Sequence, residues 1–158
     1  MTHHKLEVKP FHRDDLRGAE LLEERDVVLR DQEILHQLGE STSDDVFCGA
    51  VYCGNELIFV GGWKRMTDNI VRVFVIPTKN IFKHPLAFTR LVLHWLHKLE
   101  RLPGVDRVIT LSRCNDRIDS WMKALGFQYE TTLRRYIDTH DYRLWARNKG
   151  DKGWASEG

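Results

Sequence analysis

Charge of one sign is missing from this chain: 24 Lys and Arg stand against 23 Asp and Glu, a formal net charge of +1 over 158 residues. No global field therefore draws it to nucleic acid or to an anionic membrane, and the basic residues form no concentrated patch of the kind a nucleic-acid binder needs. Long hydrophobic runs are missing too. No apolar stretch approaches the roughly 20 residues that span a bilayer. Met1-Thr-His-His-Lys5 leads into no signal-like apolar segment. Cysteine is scarce: three residues, an odd number, exclude a complete disulfide framework within one chain. Cys48 and Cys53 lie an odd number of residues apart, so on one regular strand they face opposite sides, which argues against a two-cysteine metal clip. Reduced thiols in a cytoplasm are the simplest reading.

What is there is ordinary for a globular domain: 42% hydrophobic and 30% charged residues, with no repeat and no low-complexity tract. The length suits one domain, read as residues 1–147, with 148–158 as a flexible, Gly-rich tail that Trp154 could pin. The most informative stretch runs from Asn115 to Phe127. Asn115 is a good N-cap, Asp116 places negative charge at the positive end of a helix, and Ile118, Trp121, Met122 and Leu125 supply one apolar face. Gly126 stands where a left-handed residue ends such a helix, and Phe127 opens the next segment. Residues 105–112 and 127–134 read as the flanking strands.

In chain order, residues 5–10 form an opening strand ended by Pro10. Asp14 and Asp15 begin a helix with Leu16, Ala19, Leu21 and Leu22 on its inner face, and a second helical piece carries Ile34, Leu35 and Leu38. Residues 46–53 and 57–63 make a hairpin about Gly54-Asn55. The nearly continuous apolar run at 70–76 reads as a central strand covered on both faces, ended by Pro77. A long helix spans about 85–102, with Phe88, Leu91, Val92, Trp95, Leu96, Leu99 and Leu102 in one arc. His94 and His97 have a metal-compatible spacing on the opposite arc, but no carboxylate joins them there, and a solvated face with no metal is the reading. A last strand covers 142–146. The fold class is α/β with α+β mixing: a central mixed sheet of six or seven strands with helices on both faces.

This element order resembles the GNAT superfamily of acyl-CoA-dependent N-acyltransferases over residues 5–147, most specifically in the Asn115–Phe127 stretch; Glu130, Leu133, Arg134 and Asp141 resemble what commonly follows it. The resemblance implies a pantetheine arm between splayed strands, and a pyrophosphate held by backbone amides at the start of the next helix. It implies Val75, Lys79, Lys83 and Asn115 as contacts of acetyl-CoA, if that cofactor binds at all.

The sequence departs from the family in two places. The family's glycine-bearing phosphate loop falls between Pro77 and Phe88, where this chain reads Thr78-Lys-Asn-Ile-Phe-Lys-His-Pro-Leu-Ala87, without a glycine. Pro85 also removes an amide donor. Lys79, Lys83 and Arg90 could bring charge, but charge does not replace a shaped nest of amides. The tyrosine that commonly protonates the departing thiolate is replaced by Met122, which has no proton to give. Tyr129 or Tyr136 are the substitutes on offer. No general base stands out: Asp45, Glu56 and Asp68 lie near strand ends, where solvated or turn-forming roles explain them.

A narrower resemblance fits these losses. Phe74-Val-Ile-Pro-Thr-Lys79, Phe88 with Arg90, Leu102-Pro103 and the Asn115 motif are similar to a small GNAT-like family of short-tailed bacteriophages, linked to internal virion proteins. It implies a protein of the host cytoplasm, virion-associated or not, that binds phage or host proteins without efficient transferase chemistry. The competing reading is an active N-acetyltransferase that modifies an amine on a small molecule or a protein.

Overall fold

A computed structural model describes residues 5–16, 46–137 and 139–155. Among the described residues, seven strands and two α-helices follow one another: β1 (Leu6–Pro10), β2 (Val46–Cys53), β3 (Glu56–Arg65), β4 (Ile70–Pro77), α1 (Pro85–Glu100), β5 (Arg107–Arg113), α2 (Asp116–Ala124), β6 (Gln128–Ile137) and β7 (His140–Asn148). The strands form one mixed sheet in the order β1-β2-β3-β4-β5-β7-β6, as the α/β reading expected. A short 3-10 helix at Arg13–Leu16 marks where the first N-terminal helix was expected. The remainder of that helix, the one carrying Ile34, Leu35 and Leu38, and Asp45 lie outside the described residues.

By its internal contacts the chain divides into two compact units, residues 1–64 with 74–88 and residues 65–73 with 89–158. In the first, β1, β2 and β3 pair antiparallel. A two-residue turn at Gly54 and Asn55 joins β2 to β3, with Gly54 at φ +61°. Ala50, Leu57, Val60, Phe11 and Cys48 form the buried cluster, and Val46, Tyr52, Phe74 and Ile76 pack against it. Apolar residues pointing to one face of a pleated meander have no other way to leave water. The β2–β3 register shifts between Val51 and Tyr52, where Ile58 of β3 is the residue left without a partner; Cys48 and Cys53 are both buried and free. Gly62 is required by a close approach: a Cβ there would meet the Phe47 carbonyl oxygen at 1.9 Å.

In the second unit, Ile70–Arg72 pair in parallel with Arg107–Ile109, the adjacency expected of two strands joined by a helical crossover. The Val73 carbonyl then accepts a hydrogen bond from Thr110 Oγ1 at 3.0 Å. β5 pairs antiparallel with β7, and β7 with β6. Trp145 is buried, with its indole N–H donating to Ser112 Oγ at 2.9 Å, which satisfies the polar edge that such a ring brings into a core.

Two helix registers differ in detail from expectation. Leu99 and Leu125 are buried as expected, but Trp95 and Trp121 are only half-buried. On α1 the buried stripe runs through Phe88, Val92, Leu96 and Leu99, which leaves Trp95 toward one margin. On α2, Ile118 and Leu125 lie two turns apart and define the stripe, with Trp121 on its flank. The apolar run of β4 likewise reflects a place in the middle of the sheet rather than complete cover: Val71 is buried, whereas Phe74, Val75 and Ile76 are half-buried. Beyond β7, Ala155 is buried and its amide donates to Glu100 at 3.2 Å.

Candidate functional site

The segment between β4 and α1 is where the resemblance places a phosphate-binding loop, and it lies wholly in the first unit. Its first residue, Thr78, is buried. Its amide donates to the Ile58 carbonyl at 3.1 Å, and its hydroxyl lies 2.9 Å and 2.8 Å from the carbonyl oxygens of Leu57 and Ile58. Thr78 also caps a 3-10 helix, Lys79–Lys83, by accepting from the Asn80 amide at 3.2 Å. Asn80 Nδ2 returns to the Leu57 carbonyl at 3.0 Å. Ile81 is buried beneath the turn. The chain between the strand and the helix is thus fastened to the start of β3 at two side chains.

This closure uses up backbone donors. The Ile81 amide donates to Thr78 O and the His84 amide to Ile81 O, at 3.3 and 3.1 Å, and the Phe88 amide makes the first ordinary bond of α1, to His84 O at 2.9 Å. Pro85, the first residue of α1, has no N–H. Leu86 and Ala87 are the remaining donors of that first turn. A pyrophosphate needs several free amides converging on one point, and the residues present do not fit that requirement.

The expected contacts fall as follows. Val75 is half-buried on β4, Lys79 is exposed on the 3-10 helix, and Lys83 is exposed at its end. Lys83 Nζ pairs with Glu56, 3.2 Å and 3.4 Å from its two carboxylate oxygens, so one of the weighed general bases is engaged by one of the expected cofactor contacts. These residues share the first unit. Asn115 belongs to the second, where its Oδ1 accepts from the amides of Arg117 and Ile118 at 2.9 and 3.3 Å as the N-cap of α2. Met122 is half-buried on the same helix. Both candidate tyrosines sit on β6: Tyr129 is exposed, 2.7 Å from Thr132 Oγ1, and Tyr136 is exposed with its ring edge-on to Tyr142. The backbone carbonyl of Asp68 accepts from Arg65 in the β3–β4 turn.

Sequence reasoning missed Thr78 and Asn80, although a threonine directly after a strand-ending proline is a capping signal. It also missed a second polar cluster in the first unit. Tyr52 donates to Asp15 Oδ1 at 2.5 Å, and the His12 amide donates to Asp15 Oδ2 at 2.7 Å. Burial, then the hydrogen bond to Asp15 and its charge, push the Tyr52 phenol up to about 12. Burial and the same carboxylate push the Cys48 thiol up to about 12. Both groups stay protonated near neutrality, so neither is a ready acid or nucleophile. Among the described residues no group of three or more His, Cys, Asp or Glu side chains could hold a metal.

No family model matches the chain, and no curated protein sequence matches it significantly. Solved structures do match. The chain has the fold of the GNAT acetyltransferases. Ard1 from Thermoplasma volcanium is similar at a TM-score of 0.68 and 15% identity, over 91% of this chain and 97% of that one. A spermidine N-acetyltransferase SpeG chimera from Vibrio cholerae and hSSAT gives 0.64 and 13%, over 91% and 95%. The ribosomal alpha-N-protein acetyltransferase RimL, in complex with coenzyme A, gives 0.62 and 14%, over 92% and 94%. At these identities the likeness establishes the fold.

Proposed function

We propose that this chain is a GNAT-like protein of the kind found in short-tailed bacteriophages, with a closed acyl-CoA site, and that it works by binding other phage or host proteins during particle assembly. Its place of action is the host cytoplasm or the virion; no helix among the described residues is long and apolar enough to cross a membrane. One observation carries the reading: the amides of Asn80, Ile81 and His84 are committed within the turn and Pro85 has none. Losing two or three charge-assisted hydrogen bonds, at about 1.5–3 kcal/mol each, weakens coenzyme A binding by about a hundredfold or more. Met122, without an exchangeable proton, supports the same reading from the other half of the expected chemistry.

An active N-acetyltransferase with acetyl-CoA as cofactor and a small-molecule or protein amine as acceptor is the second reading, favoured by the match to acetyltransferase structures. Calorimetric titration of the pure protein with acetyl-CoA and with coenzyme A separates the two. The expected outcome is no binding or millimolar binding, with no thiol released when amines are added. Micromolar binding of acetyl-CoA that Lys83→Glu abolishes would overturn the proposal and make the second reading the better one.

A further inference from the structure

Past the end of β7 the chain turns twice and comes back onto the second unit. The Asn148 amide donates to Asp151 Oδ2 at 3.2 Å and the Asp151 amide to Asn148 O at 3.0 Å. The Trp154 amide then donates to Asp151 O at 3.2 Å. Gly150 and Gly153 take φ +95° and +96° in these turns, a conformation that strains any residue with a side chain. Neither is crowded. A Cβ at Gly150 would meet nothing within 4 Å, and one at Gly153 would lie 4.0 Å from Arg147 Nη2.

The second turn delivers one group to each half of a buried ion pair. The Gly153 carbonyl accepts from Arg147 Nη2 at 2.6 Å, and the Ala155 amide donates to Glu100 Oε1 at 3.2 Å. Arg147 Nη2 also donates to Glu100 Oε1 at 2.8 Å, and the same guanidinium donates to the Leu125 carbonyl at the end of α2. Buried charges are tolerated only while their hydrogen-bonding capacity is met, so the ion pair and the returning segment hold each other in place. Elsewhere the segment is thinly attached: Lys149, Gly150, Lys152 and Gly153 are exposed, and Ala155 is the residue it buries. A segment with so few buried contacts opens locally, well before the unit around it unfolds.

We infer that Lys149–Ala155 is a conformational strap. It is docked by the Glu100–Arg147 pair, it opens on its own about the two glycines, and its opening unseals the pair and loosens the end of α2.

Hydrogen exchange on the full chain tests this, read at the Ala155 amide, at the Gly126 and Phe127 amides that close α2, and along β5. In the wild type the Ala155 amide should exchange more slowly than an unstructured amide and faster than those of β5. Gly150→Ala and Gly153→Ala strain only the backbone of the strap. Each should speed Ala155 exchange by about tenfold or more, speed Gly126 and Phe127 by less, and leave β5 unchanged. In Glu100→Leu/Arg147→Met the Ala155 amide should already be fast, and adding Gly153→Ala should change nothing. Melting curves show which variants are folded at the exchange temperature. An Ala155 amide that is unprotected in the wild type, or protected as long as β5, would overturn the inference, making the segment a free tail or a part of the core. So would Ala155 exchange unchanged in both glycine variants, a Gly153→Ala effect equally large without the ion pair, or Gly126 and Phe127 amides that do not respond.

Discussion

Arg147 on β7 holds Glu100, the last residue of α1, in a buried ion pair: guanidinium Nη2 lies 2.8 Å from Oε1, with side-chain exposures of 4% and 0%. The same guanidinium donates to the Leu125 carbonyl at the end of α2 and, at 2.6 Å, to the Gly153 carbonyl. Two charges can remain out of water only when their hydrogen-bonding capacity is met, and here two helix ends and the C-terminal segment supply it. Glu100→Ala should therefore cost about 3–5 kcal/mol, because it strands a buried cation. Chemical denaturation of Glu100→Ala beside Glu100→Leu/Arg147→Met checks this. The double variant should recover much of the loss, and an additive loss would mean that the pair does not act as a unit.

Gly126 closes α2 at φ +84°. Its amide donates to Lys123 O and the Phe127 amide to Met122 O, the paired bonds of a Schellman end. A Cβ there would also meet Arg147 Nη1 at 2.5 Å. Gly126→Ala should lower stability by about 1 kcal/mol or more, from the backbone conformation alone plus the displaced guanidinium. A melting temperature at or above that of the wild type would contradict the cap.

The cap was legible in the sequence because each part is a local preference: Asn before the helix, Gly after it and apolar residues on one stripe. The parallel neighbours β4 and β5 were legible for a related reason, since two apolar runs separated by one long helix leave few topologies open. Glu100 and Arg147 were not. Nothing local marks a Glu at a helix end as buried, and its partner lies on a strand 47 residues away. Thr78 stood in plain view, but its role depends on carbonyls of Leu57 and Ile58 that only the folded sheet brings near. Trp95 and Trp121 were read as buried because periodicity gives an arc, while the centre of that arc is set by tertiary packing.

Thiol chemistry gives a third prediction. Cys114 is exposed, whereas Cys48 and Cys53 are buried, and Cys48 is pushed up to about 12. A thiol reagent should modify one cysteine quickly in the native protein and all three after denaturation. The sign for Cys48 is that of an acid kept neutral by the fold. Its contribution is complete below the unfolded thiol pKa and is lost as pH rises from there toward about 12. Fast native labelling that persists in Cys114→Ser would mean that the interior of the first unit opens readily.

The last prediction concerns acid. Arg107 and Glu130 form a two-pronged pair across the sheet of the second unit, Nη1 to Oε2 at 2.6 Å and Nη2 to Oε1 at 2.5 Å. The hydrogen bond from Arg107 lowers the Glu130 carboxyl below its ordinary range, partly opposed by desolvation and aided by the charge of Arg107 and by Asn148. A carboxyl whose folded value is depressed contributes stability that is fully present above the unfolded value. That stability is lost as pH falls through the folded value. Both side chains remain about a third exposed, at 28% and 31%, so solvent screening keeps the pair to roughly 0.2–1 kcal/mol despite its geometry. Glu130→Gln should therefore be slightly less stable than the wild type at neutral pH, and the gap should close as both are taken to acid and the wild-type carboxyl protonates. Denaturant midpoints at several pH values, at low and at high salt, measure it. A gap that widened toward acid would reverse the sign and rule out Glu130 as an ionised partner of Arg107.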